Sequence, residues 1–113
     1  LHHGNAITVA PATETTFIKG TEANIAGKIL DRSQCVIAKA PQCFFLGDIH
    51  KAHLQSNEEK LEFIDSASMM QHFGYELYLV EGLPANIKIT TPIDFYTFKA
   101  YLDVQDSMNV IGL

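Results

Sequence analysis

The chain has 113 residues, 47% of them hydrophobic and 19% charged, with a net charge of −5. That describes one globular domain with room for a modest core, and excludes a disordered segment. The eight basic residues (Lys19, Lys28, Arg32, Lys39, Lys51, Lys60, Lys88 and Lys99) are scattered. A nucleic-acid surface would need them clustered, whereas a small phosphorylated ligand needs only two or three placed cations. No apolar run approaches the roughly 20 residues that span a bilayer, and no signal segment opens the chain, so no membrane partner and a cytoplasmic location are expected. Cys35 and Cys43 lack a CxxC spacing; free buried thiols are expected rather than a disulfide or zinc site.

In chain order, Ala6 to Thr13 is rich in β-branched residues and reads as a strand ended by Pro11. Three further short strands are expected at Thr15–Ile18, Lys28–Leu30 and Gln34–Ala38, the first two joined by a Gly20–Gly27 loop. Such strands bury little by themselves and read as an arm that needs a partner to cover it. Ala40, Pro41, Gln42 and Cys43 mark a junction. A helix follows from about Phe45 to Gln55, with Phe45, Ile49 and Ala52 or His53 along one face, then a polar connection from Ser56 to Lys60. Asp65 caps a second helix, Ser66 to Phe73, which Gly74 ends. Tyr75 to Val80 is a strand.

The stretch EGLPANIKITTPID, Glu81 to Asp94, organises what surrounds it. Gly82 and Pro84 punctuate the chain. Asn86 to Thr90 alternates polar and apolar residues, predicting a short strand with Ile87 and Ile89 on one side. Thr91, Pro92 and Asp94 then open a helix: a hydroxyl at the cap, proline at the first position and a carboxylate three residues on. Lys88 thus precedes a helix N-terminus, where free amides favour anions, and ammonium, amides and the Thr90 and Thr91 hydroxyls can converge on one phosphate. The same pattern also fits a solvated Lys88 and a Thr91 that merely caps. The last helix runs to about Val104 with Phe95, Phe98 and Leu102 in a stripe; 105–113 gives no firm signal. Asp48, His50 and His53 lie within helical reach of one another, but one acid with HxxH is a weak metal motif, and no metal site is expected there.

The run NIKITTP with the preceding VEG closely resembles the C-terminal signature of the cytidylyltransferases that make CDP-activated polyol phosphates, the 2-C-methyl-D-erythritol 4-phosphate and ribitol 5-phosphate enzymes. The likeness extends over about residues 5 to 104. It implies that Lys88 contacts the CTP α-phosphate and stabilises the transition state. LDRSQCVIAKAPQCF resembles the family segment whose arginine crosses the dimer to bind the polyol phosphate, which puts Arg32 in that role. APATET resembles a Pro-x-x-Asp-Thr segment, which puts Thr15 near the polyol, with Glu14 in place of aspartate. IDSASMM resembles the family's helix start, with Asp65 at the acid and a substrate-binding role implied beside its cap. Where the family commonly has threonine before the Pro-Gln junction and before the helix-start acid, this chain has Ala40 and Ile64. Two hydroxyls that help hold methylerythritol phosphate are therefore absent, leaving room for another polyol phosphate.

The resemblance implies an α/β fold: the C-terminal half of a Rossmann-like nucleotidyltransferase sheet in three layers, α/β/α, with a projecting β-arm for dimerisation. Residues 1–113 would form a single incomplete domain, with 12–40 as arm, 41–104 as helices and strands, and 105–113 as tail. The glycine-rich loop, the Pro-Lys motif and the acid that helps hold Mg2+ in the family have no counterpart here. The implied activity is transfer of CMP from CTP to a polyol phosphate by a homodimer, with the chain alone inactive; the alternative is a non-catalytic dimerisation or phosphate-binding module.

Overall fold

The computed structural model describes residues 2–112. It contains five strands, three α-helices and one short 3-10 turn, and divides into two compact units, one up to Gly82 and one from Leu83 onward. Each unit is described by itself.

The first unit is built on β1 (Ala6–Pro11), the middle strand of a three-stranded mixed sheet. The hairpin strands β2 (Phe17–Lys19) and β3 (Ala26–Ile29) follow, then β4 (Val36–Cys43), and β5 (Tyr78–Glu81) closes the unit. β4 runs antiparallel to β1 and β5 parallel to it. Two helices, α1 (Leu46–Glu59) and α2 (Ser66–His72), connect β4 to β5. The core joins Ile7, Val9 and Ala67 to Ala52, Met69 and Met70 through Phe44 and Leu77, which pack against both groups. The architecture is α/β, as the sequence predicts.

The third strand assigned to the arm belongs elsewhere. Residues 36–38 pair with Pro11, Ala10 and Val9, so β4 extends the main sheet and the arm keeps only β2 and β3. The junction at residues 40–43 does not end β4 either. The register slips between Ile7 and Thr8, opposite the Ala40–Pro41 step, and the Thr8 hydroxyl donates to the Pro41 carbonyl at 2.8 Å. Proline has no N–H for a ladder, so a bulge takes it up and pairing resumes at Gln42 and Cys43. In the hairpin, a Cβ on Gly27 would lie 2.8 Å from the Ile18 carbonyl oxygen and one on Gly20 2.9 Å from that of Ile25. Both positions require glycine because the two backbones touch.

Helix α1 runs one turn beyond the expected end, and SNEE is its last turn instead of a connection. Ser56 is buried and its hydroxyl donates to the Leu61 carbonyl at 2.8 Å, while Lys60 leaves the helix with φ +55°. Its N-cap, Phe45, has no capping side chain. Asn5, immediately before β1, supplies one, accepting the Phe45 N–H at 2.7 Å through Oδ1 and donating through Nδ2 to Asp48 at 2.9 Å. A buried amide thus satisfies the helix end and ties it to the sheet.

In the second unit, the strand expected over Asn86–Thr90 is absent. The alternation survives in part, with Ile87 half-buried and Lys88 exposed, but no described strand lies alongside to complete a ladder. Asn86 N–H instead closes a turn onto the Leu83 carbonyl at 3.0 Å. Helix α3 (Pro92–Val110) continues six residues beyond Val104, since nothing in QDSMNV breaks a helix. Among the described residues no helix is long and apolar enough to cross a membrane.

Candidate phosphate-binding site

Lys88 lies on an irregular segment three residues ahead of the α3 N-cap, Thr91. Its side chain is exposed and makes no hydrogen bond or ion pair with any described residue. The mouth of α3 is differently arranged from the expectation. Asp94 Oδ2 accepts the Thr91 N–H at 2.8 Å, the Thr90 N–H at 3.0 Å and the Thr90 hydroxyl at 3.0 Å. Asp94 N–H in turn reaches the Thr91 hydroxyl at 3.4 Å, which completes a capping box. The Thr90 and Thr91 donors that the sequence directs toward a phosphate are therefore committed to an internal carboxylate. A carboxylate three residues into a helix outcompetes a diffusing anion because it arrives with the fold.

These bonds hold the Asp94 carboxyl at about 2, below its usual 3.8, the Thr90 amide contributing most, followed by the Thr91 amide and the two hydroxyls. The contribution to stability is fully present above the ordinary carboxylate value and is lost as pH falls through about 2. Helicity should therefore decline on acidification from about pH 4 to about pH 2. Asp31 and Asp65 shift in the same direction, so the measurement is the difference in circular dichroism between the native chain and Asp94→Asn. Asparagine should flatten that part of the curve; superimposable curves would mean the cap carries no charge-dependent stability.

Within the first unit, Arg32 opens a 3-10 turn capped by Asp31, whose Oδ1 accepts from the Ser33 amide at 3.0 Å and its hydroxyl at 2.7 Å. The Ser33 hydroxyl, then its amide, hold the Asp31 carboxyl below the usual range. Arg32 Nη1 donates to the Thr13 carbonyl at 2.8 Å, and Leu30 N–H to the Thr16 carbonyl at 2.9 Å. The guanidinium thus lies against the Thr13 carbonyl near the base of the hairpin, and Thr15, two residues further on, is exposed. One of its five N–H donors is used there.

Asp65 caps α2, accepting the Ser68 N–H at 2.7 Å. The Ser68 hydroxyl, then its amide, lower its carboxyl below the usual range, with a smaller contribution from Gln42 on β4. It also lines a cleft of about 700 Å³ with Ser68, Gln71, Tyr75, Glu76 and Tyr78, which neither Arg32 nor Thr15 borders. Three polar features here were not anticipated from sequence: the Asn5 clamp, the Gln42–Asp65 contact, and the reach of Asp94 to Thr90. Only the last had a local signal, the TTPID spacing. Among the described residues no three His, Cys, Asp or Glu side chains are placed to hold a metal ion, and Asp48, His50 and His53 form no such group.

Ribitol-5-phosphate cytidylyltransferase of Vibrio parahaemolyticus is 47% identical over 111 residues, covering 97% of this chain and 46% of the relative. The 2-C-methyl-D-erythritol 4-phosphate cytidylyltransferase of Clostridium acetobutylicum is 33% identical over 100 residues, 88% of this chain and 43% of that protein. The crystal structure of the latter enzyme from Thermus thermophilus superposes with a TM-score of 0.74 at 31% identity, over 88% of this chain and 48% of that one. The 4-diphosphocytidyl-2C-methyl-D-erythritol synthase of Anaerococcus prevotii, at 22% identity and a TM-score of 0.78, shares the fold. The chain spans about half the length of the curated relatives it matches. The profile of the 2-C-methyl-D-erythritol 4-phosphate cytidylyltransferase family matches residues 1–104, and the chain belongs to that family.

Proposed function

We propose that these residues supply one part of a cytidylyltransferase that transfers CMP from CTP to a polyol phosphate of the ribitol 5-phosphate class. A phosphate oxygen of the polyol phosphate attacks the α-phosphorus of CTP. The new P–O bond forms as the α–β bridge breaks, and pyrophosphate leaves. The observation that carries this reading is Lys88, an uncommitted ammonium on a segment held between a turn and a capped helix. Such a cation offsets charge that develops on the α-phosphate, where phosphoryl-type transfers gain most of their acceleration. Arg32, with one N–H donor used among the described residues, and Thr15 orient the polyol phosphate from a neighbouring subunit. Asp65 orders the α2 start near the substrate. Bound Mg2+, with its ligands mostly outside these residues, would supply charge neutralisation at the triphosphate. The ribitol class is favoured over methylerythritol phosphate by the higher identity to the Vibrio relative and by Ala40 and Ile64 in place of hydroxyl side chains.

The remaining surfaces suit an incomplete sheet in a cytoplasmic homodimer. Tyr78, Leu79 and Val80 on the edge strand are 49–50% exposed, although strands of this apolar kind are normally covered on both faces. Phe17, Ile18, Ile25 and Ile29 of the hairpin are 51–58% exposed, and a lone two-stranded hairpin is marginal in water, so a second copy covers it. A second reading, an assembly module without CTP chemistry, rests on the chain spanning about half the length of its curated relatives. The test is pyrophosphate release by the full-length protein with CTP, Mg2+ and D-ribitol 5-phosphate, alongside sedimentation. Release by a dimer, faster than with 2-C-methyl-D-erythritol 4-phosphate, is expected. A dimer that neither binds CTP nor releases pyrophosphate would establish the assembly reading instead.

A further inference from the structure

The segment carrying Lys88 is fastened on both sides and open between. Upstream, Asn86 N–H donates to the Leu83 carbonyl at 3.0 Å and Ile87 N–H to that of Ala85 at 2.9 Å. Downstream, the single oxygen Asp94 Oδ2 holds Thr90 through both its amide and its hydroxyl, and Thr91 through its amide. Lys88 and Ile89 are the two residues between these sets of bonds. A capping box needs only the amide of the cap residue, here Thr91. The two bonds to Thr90 reach outside the helix, and the amide they fix is that of the peptide leaving Ile89. They steady the carboxylate that caps the helix, and they also fix the peptide ahead of the cap. They set the direction in which the chain leaves Lys88.

The same bonds determine what Lys88 works with. Because Asp94 takes the Thr90 and Thr91 donors, those groups cannot share an incoming phosphate, and the ammonium acts there as a single point charge on a flexible stem. A lone charge contributes to a transition state only when its position is set before the reaction, and a displacement near 1 Å costs about 10²-fold. We infer that Asp94 is a positioning residue for Lys88, aiming the lysine through its bonds to Thr90 in addition to capping α3. The inference rests on the Lys88 reading above.

The experiment is a double-mutant cycle in the full-length protein, assayed with CTP and D-ribitol 5-phosphate. Asp94→Asn should lower kcat about 10- to 100-fold with KM for CTP little changed. Thr90→Val, which leaves the Thr91 cap intact, should lower the same parameter by less and leave helix content unchanged. Lys88→Ala combined with Asp94→Asn should be no slower than Lys88→Ala alone, because the aspartate acts through the lysine. A purely structural cap would slow both backgrounds by the same factor, and that additivity would overturn the inference. So would native kcat in both Asp94→Asn and Thr90→Val while Lys88→Ala remains impaired. Native turnover in Lys88→Ala would overturn the site reading and this inference together.

Discussion

Replacing Lys88 with alanine is expected to lower kcat of the full-length protein by about 10²–10³-fold, the scale of removing one preorganised contact to a developing oxyanion. The side chain is exposed and bonded to no described residue, so its removal should leave the fold and its stability as they were. Surface substitutions of that kind stay within about 0.5 kcal/mol. A drop in kcat at constant unfolding midpoint therefore reports chemistry and not folding. Lys88→Arg should recover part of the rate, since the charge persists but the planar fork places it differently. Turnover close to native in Lys88→Ala would remove the lysine from the mechanism.

The largest effect on stability is expected at Met70. It is fully buried, and its cluster with Ala52 and Met69 is lined by Phe44, Ile49, Phe63, Phe73, Tyr75 and Leu77. Truncation to alanine leaves a cavity among rigid rings and should cost about 2–5 kcal/mol. A domain of this size is stable by only about 5–15 kcal/mol. Met70→Leu conserves volume and should cost less than about 1.5 kcal/mol. Urea unfolding of the two variants checks both values. A Met70→Ala loss below about 1 kcal/mol would show that α2 can settle into the space, and that this packing is not what holds the first unit together.

Much of the molecule was legible because it is written over short spans. Asp65, Gly74 and the Thr91-Pro92-Asp94 run mark helix ends through bonds that reach no more than four residues, and each end lies within a residue of its expected place. The SNEEK run does not mark the end of α1, because polar residues extend a helix as readily as they leave one. What decided it was the buried Ser56 hydroxyl and its bond to Leu61. The strand expected at Asn86–Thr90 failed for a different reason. Period-two alternation records which side chains face inward, whereas a strand exists only where another backbone lies alongside.

The candidate site divides along the same line. The residues themselves specify a cation, a hydroxyl pair, a carboxylate and a helix start in one short run, the pattern on which the proposed phosphate contact of Lys88 rests. They do not settle which acceptor receives the threonine donors, nor that residues 36–38 leave the arm for the sheet, nor that Asn5 crosses forty residues to finish α1. Those outcomes depend on backbone groups competing for partners across the fold. That competition is settled by tertiary packing, because a hydrogen bond is directional and short while the sequence separation of its partners is unconstrained.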